Sequence, residues 1–192
     1  MTTLEAAPAV HHHEEEANRP SMNQLGLWLF FASETFLFAA LATGRFYIAG
    51  LDQPEHLNQL LGLGITSILL SSSILAYLAE AAIARGDRVA CKMYLLGTMV
   101  LGLVFAAGVA FEWATAEFTA SEPYGTAFFS MTGLHATHVL SGIGLLALSY
   151  RLLSKGHFSA ESHWGIEASI KYWHFVDVVW VFFYPILYLM SW

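Results

Sequence analysis

The sequence predicts an all-α integral membrane protein, a bundle of five transmembrane helices. Its residues are 56% hydrophobic and only 12% charged, whereas about a quarter of the residues of a typical soluble domain are charged. Apolar stretches of about 18 residues or more can cross the hydrocarbon core of a bilayer as helices. The stretches found here lack the strict alternation of a transmembrane barrel strand. They lie at about Gln24–Ala49, Asn58–Ala84, Met93–Ala116, Tyr124–Leu153 and Ile170–Trp192.

Residues 1–21 differ from the rest of the chain. They contain His11, His12 and His13 followed by three glutamates, and they show no apolar period. We interpret them as a flexible cytoplasmic tail and residues 22–192 as the transmembrane domain. The histidine run could bind a metal adventitiously, but a solvated low-complexity tail is the favoured interpretation. A secretory signal would need a basic start and an apolar core, and the tail has neither.

Cysteine content and net charge exclude several classes of protein. Cys91 is the only cysteine, so an intrachain disulfide and a cysteine-based cluster or zinc site are excluded. The net charge of −7 comes partly from the acidic tail. It gives no indication of a nucleic-acid partner.

The basic residues predict the orientation, because cytoplasmic loops are enriched in Lys and Arg. Seven of the eight lysines and arginines fall on one side of the predicted spans, and only Arg45 falls on the other. The N-terminus is therefore predicted inside and the C-terminus outside. The seven are Arg19, Arg85, Arg88, Lys92, Arg151, Lys155 and Lys171.

Glu34 is the clearest ionisable residue at membrane depth. It lies about ten residues into the first span, roughly 15 Å deep at the rise of a helix, with no basic residue within two turns. A protonated Glu34 hydrogen-bonded to a neighbouring helix and a role in proton exchange or lipid contact are both open.

Two histidines share a face of the fourth span. His135 and His138 are three residues apart, so they cannot be opposed axial ligands of one haem. A di-iron bundle would need Glu-x-x-His pairs on two helices, and the chain contains none. We therefore expect no metal site, and we expect both imidazoles to hydrogen-bond across the bundle.

The fifth span carries a second polar pair. His174 and Asp177 are also three residues apart and could pair on one face, either as a structural hydrogen bond or as part of a polar path. Glu167 and Lys171 form an i,i+4 pair in the favourable order. Trp173 and other aromatics near both ends are typical of membrane-interface belts.

Two further carboxylates lie near the ends of spans. Glu112 is near the outer end of the third span and Glu80 near the inner end of the second. Side chains at such positions can reach the headgroups. We expect both to be interfacial.

Several segments, in order, resemble the subunit III family of haem–copper respiratory oxidases. LWLFFASETFLFAAL resembles a conserved span with a buried glutamate, GLVFAAGVAFEW and AFFSMTGLHATHVLSG resemble later spans, and YWHFVDVVW is the most specific run. The resemblance extends over nearly everything from Met22 onward. Many relatives have seven spans, whereas this chain resembles a short bacterial form with five.

The resemblance implies a non-catalytic subunit of a proton-pumping cytochrome c oxidase in the bacterial plasma membrane. The chain would pack beside the catalytic subunit I and other oxidase subunits, which hold the haem and copper, and would itself carry no cofactor. It would support the stability and proton uptake of subunit I and bind phospholipid in a helix cleft. The residues matching family motifs are Glu34, Glu112, His135, His138, Glu167, Trp173, His174 and Asp177.

Other functions remain open at this stage. The equivalent subunit of a quinol oxidase, or of a nitric oxide reductase-associated relative, would share most of these features. A stand-alone transporter is a different class, suggested by Glu34 and the intramembrane His and Asp residues. Transporters often show internal repeats and interrupted helices, and no repeat relates the two halves of this sequence.

Overall fold

The regular structure of the chain is helical. A computed structural model describes residues 10–51, 53–54 and 57–190, with backbone alone for residues 10–21. Within this part, five helices are long and apolar enough to cross a membrane, which confirms the predicted fold class. The elements are α1 (Val10–Ala49), α2 (Gln59–Ala84), α3 (Arg88–Thr115), α4 (Pro123–Ser154), α5 (Trp164–Tyr184) and a π-helical turn (Pro185–Leu189).

Three helices begin earlier than the apolar stretches do. The backbone of α1 is helical from Val10, and α3 and α5 start at Arg88 and Trp164. Asp87 caps α3 by accepting a 2.9 Å hydrogen bond from the Ala90 amide. Hydropathy marks only the lipid-facing part of a helix, whereas a cap sets where the helix begins. Residues 1–9 of the predicted tail lie outside the described residues, and its flexibility stays a prediction.

The chain divides into two compact units, and the boundary falls within α1, between Phe36 and Leu37. In the first unit, Trp28 and Phe31 meet edge to face with ring centroids 5.8 Å apart. The Thr35 hydroxyl donates to the Phe31 carbonyl at 2.7 Å. Such back-bonding satisfies a hydroxyl within its own helix, which suits a lipid environment.

The second unit contains the bundle of α2 to α5. The helix α2 packs on α3, α3 on α4, α4 on α5, and α5 returns to α2, so the four helices close into a ring. Its centre is filled by large buried side chains, including Phe105, Met131, Trp173 and Trp180. Helix α5 faces the core with much of its surface and contacts both neighbours along its length.

The α2–α3 and α4–α5 connections share one geometry. Gly86 and Gly156 follow α2 and α4 with φ of 80° and 85°, the left-handed conformation that glycine adopts without strain. Arg88, which follows the first of these turns, donates to the Phe158 carbonyl in the second loop. These two connections therefore lie together at one end of the bundle. Arg85, Arg88, Lys92, Arg151 and Lys155 lie within them or close to them in the sequence.

The last helix ends in a π-helical turn. Pro185 has no N–H and cannot continue the α-helical hydrogen bonding, and the Met190 amide instead bonds to the Pro185 carbonyl at 3.0 Å. The last carbonyls of a helix have no hydrogen-bond partner within that helix. Side chains from other elements occupy these carbonyls, as described below.

Candidate functional site

The two buried tryptophans of α5 donate hydrogen bonds to hydroxyls of α2. Trp173 Nε1 lies 3.0 Å from Ser72 Oγ, and Trp180 Nε1 lies 2.9 Å from Thr66 Oγ1. Both indoles are completely buried, so their N–H groups have no alternative partner in water or headgroups. Trp173 is therefore part of the helix contact and does not lie in an interfacial aromatic belt.

His174 and Asp177 converge on one hydroxyl of α2. His174 Nδ1 lies 2.9 Å from Ser73 Oγ, and the same hydroxyl donates to Asp177 Oδ2. Asp177 is 3% exposed, and its Oδ1 has no hydrogen-bond partner among the described residues. The structure thus brings the predicted pair to one site, where Ser73 bridges them.

Glycines of two helices make room for the Trp173 ring. A Cβ on Gly102 of α3 would lie 2.5 Å from Trp173 Cη2, and one on Gly142 of α4 would lie 2.9 Å from Trp173 Cε3. Any larger residue at either position would therefore overlap the indole. Through these contacts and its bond to Ser72, Trp173 joins α5 to α2, α3 and α4.

The expected cross-bundle hydrogen bond of His135 is absent. Its side chain is fully buried, and neither ring nitrogen has a hydrogen-bond partner among the described residues. The imidazole packs instead against aromatic rings, with centroids 4.7 Å from Trp180 and 5.6 Å from Phe105. His135 therefore fills the core much as an aromatic side chain does.

His138 occupies a different environment one turn away. Its Nδ1 lies 2.9 Å from the Leu134 carbonyl of its own helix, and its ring meets that of Phe38 at 4.8 Å. Its ring contact is with the second half of α1. The two histidines of α4 thus serve two separate contacts.

Glu112 lies inside the bundle and not at the headgroups where it was expected. The side chain is 5% exposed, and its Oε2 accepts a 2.7 Å hydrogen bond from the Tyr188 hydroxyl. Its Oε1 has no hydrogen-bond partner among the described residues. The interfacial interpretation failed because Tyr188 is 76 residues away in the chain, and nothing local to Glu112 indicates a contact over that distance.

The C-terminal π turn is held by side chains from two other regions. The Leu187 carbonyl accepts from Tyr124 Oη at 2.7 Å and from Gln53 Nε2 at 2.8 Å. The next carbonyl, of Tyr188, accepts from Gln59 Nε2 at 3.2 Å. The α1–α2 connection and the starts of α2 and α4 therefore meet at the end of the chain.

Two of the predicted residues, Glu167 and Glu34, remain to be described. Glu167 and Lys171 form the predicted i,i+4 ion pair, which confirms that expectation, and Lys171 also lies 5.1 Å from the Trp164 ring centroid. Glu34 is half-buried on the first unit's part of α1. Among the residues that the structure describes, no group of three or more His, Cys, Asp or Glu side chains is placed to hold a metal ion.

Comparison with known proteins identifies the family. The family model described as Cytochrome c oxidase subunit III matches residues 5–192. The chain belongs to this family. A protein named Cytochrome c oxidase subunit 3 from Thermostichus vulcanus is 32% identical over 192 residues, covering 96% of this chain and 94% of the relative. Proteins of the same name from Coturnix japonica and Pisaster ochraceus are 35% and 38% identical, each over 85% of this chain, and this chain spans 67% and 68% of their lengths.

Membership of the subunit III family indicates that the bundle is one part of a larger complex. By the name of the family, its members are subunits of a multi-subunit oxidase of the respiratory chain. The five spans make this member a multi-pass membrane protein. Polar side chains of α5 form hydrogen bonds with α2 and so hold helices of the subunit together. Nothing local in the sequence indicates the contacts of Thr66 and Tyr188, whose partners lie on other helices.

Proposed function

We propose that this chain is a supporting, non-catalytic subunit of a cytochrome c oxidase, in which the oxygen chemistry belongs to other polypeptides. The observation that carries the proposal is the family match over residues 5–192. The haem and copper would be held by partner subunits, chiefly the catalytic subunit I. This chain would carry no redox cofactor of its own.

The geometry of α5 supports a bracing role. Trp173, Trp180 and Asp177 are buried and bonded to α2, so these polar groups form their hydrogen bonds within the subunit. A bundle tied in this way presents a fixed surface to a neighbouring subunit. We propose that it stabilises subunit I during turnover.

Lipid binding and proton uptake are the finer parts of the proposal. The subunit would hold phospholipid in a helix cleft, as the resemblance implies. Glu34 would contribute through its carboxyl group, because an intramembrane ionisable residue is a functional candidate by default. His135, His138, His174, Glu112 and Glu167 would act as structural residues of the bundle.

We propose an orientation with the N-terminus in the cytoplasm and the C-terminus outside, in a bacterial plasma membrane. Seven of the eight lysines and arginines support this orientation. The loop contact between Arg88 and Phe158 is consistent with it, because it joins two connections predicted to be cytoplasmic.

Co-purification tests the proposal directly. The full chain, tagged at the N-terminus and extracted in mild detergent, should bring down an oxidase with a haem spectrum and copper. The chain separated from these partners should retain neither metal in stoichiometric amount. Oxidation of reduced cytochrome c by the complex, measured beside oxidation of a quinol, identifies the donor. A chain that purifies alone and conducts ions in liposomes would contradict the assignment.

A further inference from the structure

One face of α2 carries a polar side chain every seven residues. Gln59, Thr66, Ser73 and Glu80 form this series, which we name the α2 polar ladder. A seven-residue repeat keeps positions on one side of a helix that wraps around a partner with a left-handed twist. The intervening positions, three residues further on, are apolar and buried: Gly62, Leu69, Ala76 and Ile83. The face therefore alternates polar and apolar layers along the whole span.

Gln59, Thr66 and Ser73 each bond to α5 or to the π turn, and the partners appear in reverse order. Gln59 bonds to the Tyr188 carbonyl, and Thr66 accepts from Trp180. Ser73 contacts Asp177 and His174, which lie about one and two turns before Trp180 on α5. Because the α5 residue numbers fall as the α2 numbers rise, the ladder describes an antiparallel pair in a single alignment.

The inner end of the ladder continues this order. Ser73 contacts Asp177 and His174. Glu80, seven residues later, lies within electrostatic range of Lys171 and Glu167. The ladder thus extends over 21 residues, about 31 Å at the rise of a helix. This is about the thickness of the hydrocarbon core.

We infer that the α2 polar ladder fixes the register of α2 against α5. A slip of one turn, about 5.4 Å, would move Trp180 and Asp177 away from their hydroxyl partners. Lipid offers no replacement partner for a buried N–H or carboxyl group. The apolar layers favour the same alignment, since a Cβ at Gly62 would lie 2.6 Å from the Tyr188 ring, and the polar bonds add to this selection. Polar residues in such positions are known to set register in paired helices.

Distance argues against a proton path along the same face. Successive ladder residues are about 10 Å apart along the helix, whereas a hydrogen-bonded relay needs steps of about 3 Å. Gly62, Leu69 and Ala76 separate them with apolar layers. The ladder therefore positions α2 against α5 and does not conduct protons.

The same helix supplies a matched control. Ser67 and Ser71 are exposed on α2 and donate to carbonyls of their own helix, of Leu63 at 2.8 Å and of Ser67 at 2.7 Å. They resemble the ladder hydroxyls in chemistry and depth. They have no described bond to α5.

The first test measures retention of the subunit in the purified oxidase at raised temperature. Thr66→Val with Ser73→Ala should shorten the retention half-life by about threefold for each hydrogen bond removed. Ser67→Ala with Ser71→Ala should not change it, and Thr66→Ser with Ser73→Thr, which keeps both hydroxyls, should stay near wild type. Equal behaviour of the ladder and control variants would overturn the inference. If the double ladder variant does not assemble, the single variants are compared with the single controls in the same way.

The second test measures register itself, in a Cys91→Ser chain. Gly62→Cys is combined either with Tyr188→Cys, at the residue that lies against Gly62 in the structure, or with Tyr184→Cys, one turn away. When the ladder is intact, a short bifunctional thiol reagent should cross-link the first pair and not the second. When Thr66→Val and Ser73→Ala are added, it should cross-link both pairs. A ladder-depleted chain that still cross-links only the first pair would refute a role in register.

Discussion

The Trp173 indole lies against the backbone of Gly102, where a Cβ would come within 2.5 Å of Cη2. Gly102→Ala should therefore displace a ring that also contacts α2 and α4. Overpacking of this kind costs about 1–3 kcal/mol. The measurement is the temperature at which the subunit dissociates from the purified oxidase, and we expect it to fall.

Gly144 provides the control for that substitution. It lies on α4, and a Cβ there would meet no atom within 4 Å. Gly144→Ala should leave the dissociation temperature unchanged or raise it, since alanine is favoured over glycine in a helix by up to about 1 kcal/mol. If both variants behaved alike, the Trp173 contact would not be what limits stability.

Asp177→Ala should weaken the association of α5 with α2. It leaves the Ser73 hydroxyl and His174 without the carboxylate that completes their site, at a cost of about 1–3 kcal/mol. Dissociation of the subunit in detergent at increasing temperature measures the effect. Glu161→Ala removes an exposed acid in the α4–α5 connection and should have no effect. An Asp177→Ala subunit as durable as wild type would indicate that the Ser73 contact contributes nothing.

Tyr188→Phe should destabilise the end of the bundle that carries the π turn. It removes the hydroxyl that donates to Glu112 and leaves a buried carboxyl group without its donor, at about 1–3 kcal/mol. Adding Glu112→Leu should recover part of the loss, because the second polar group is then removed as well. Tyr184→Phe, on the ring stacked beside Tyr188, is the control and should be near neutral. Failure of the double variant to recover any stability would contradict the pairing.

Topology is testable with reporter tags on the full chain. Tags at the N-terminus and between Arg85 and Lys92 should report the cytoplasm, because the basic residues cluster there. Tags near Glu122 and after Trp192 should report the outside. A C-terminal tag on the same side as the N-terminal tag would require an even number of crossings and would contradict the five spans.

Glu34→Gln should show whether Glu34 has a supporting or a catalytic role in the oxidase. The substitution keeps size and hydrogen-bonding capacity but removes titration, so the complex should assemble with a normal haem spectrum. If the carboxyl group assists proton uptake or holds a lipid, the steady-state rate should fall at high pH, or activity should be lost faster during turnover. Glu117→Gln, at an exposed position in the α3–α4 connection, is the control. Complete loss of oxygen reduction in a spectrally normal complex would make Glu34 catalytic, and an unchanged rate and lifetime would leave it a packing residue.

The fold was predictable because lipid imposes one dominant pattern. Long apolar stretches with few charges can satisfy their backbone in a bilayer only as helices or closed barrels, so five stretches predict five spans. The starts of α3 and α5 were missed because Asp87 and His163 lie outside the apolar stretches. The π turn was missed as well, since Pro185 alone does not predict which carbonyls other elements will occupy.

The site was only partly predictable because its partners are distant in sequence. Spacing predicted that His174 and Asp177 share a face, but Ser73 is more than a hundred residues away. His135 was expected to hydrogen-bond, yet its neighbours are the aromatic rings of α3 and α5. The seven-residue interval between Thr66 and Ser73 was the feature of the sequence that could have indicated their contact with α5. It becomes informative only when the partner helix is known.

The pairing of α2 with α5 also determines when the bundle can form during synthesis. Trp180 follows its partner Thr66 by 114 residues, and Trp173 follows Ser72 by 101. At about 5–20 residues per second, α2 would emerge on the order of 5–20 s before the helix that completes its contacts. During that interval the Thr66 hydroxyl can remain bonded to the Gly62 carbonyl of its own helix, 2.7 Å away, so α2 can enter the bilayer without an unsatisfied hydroxyl. A ribosome that stops before α5 would therefore leave a chain with inserted helices that has not closed, a natural substrate for membrane quality control.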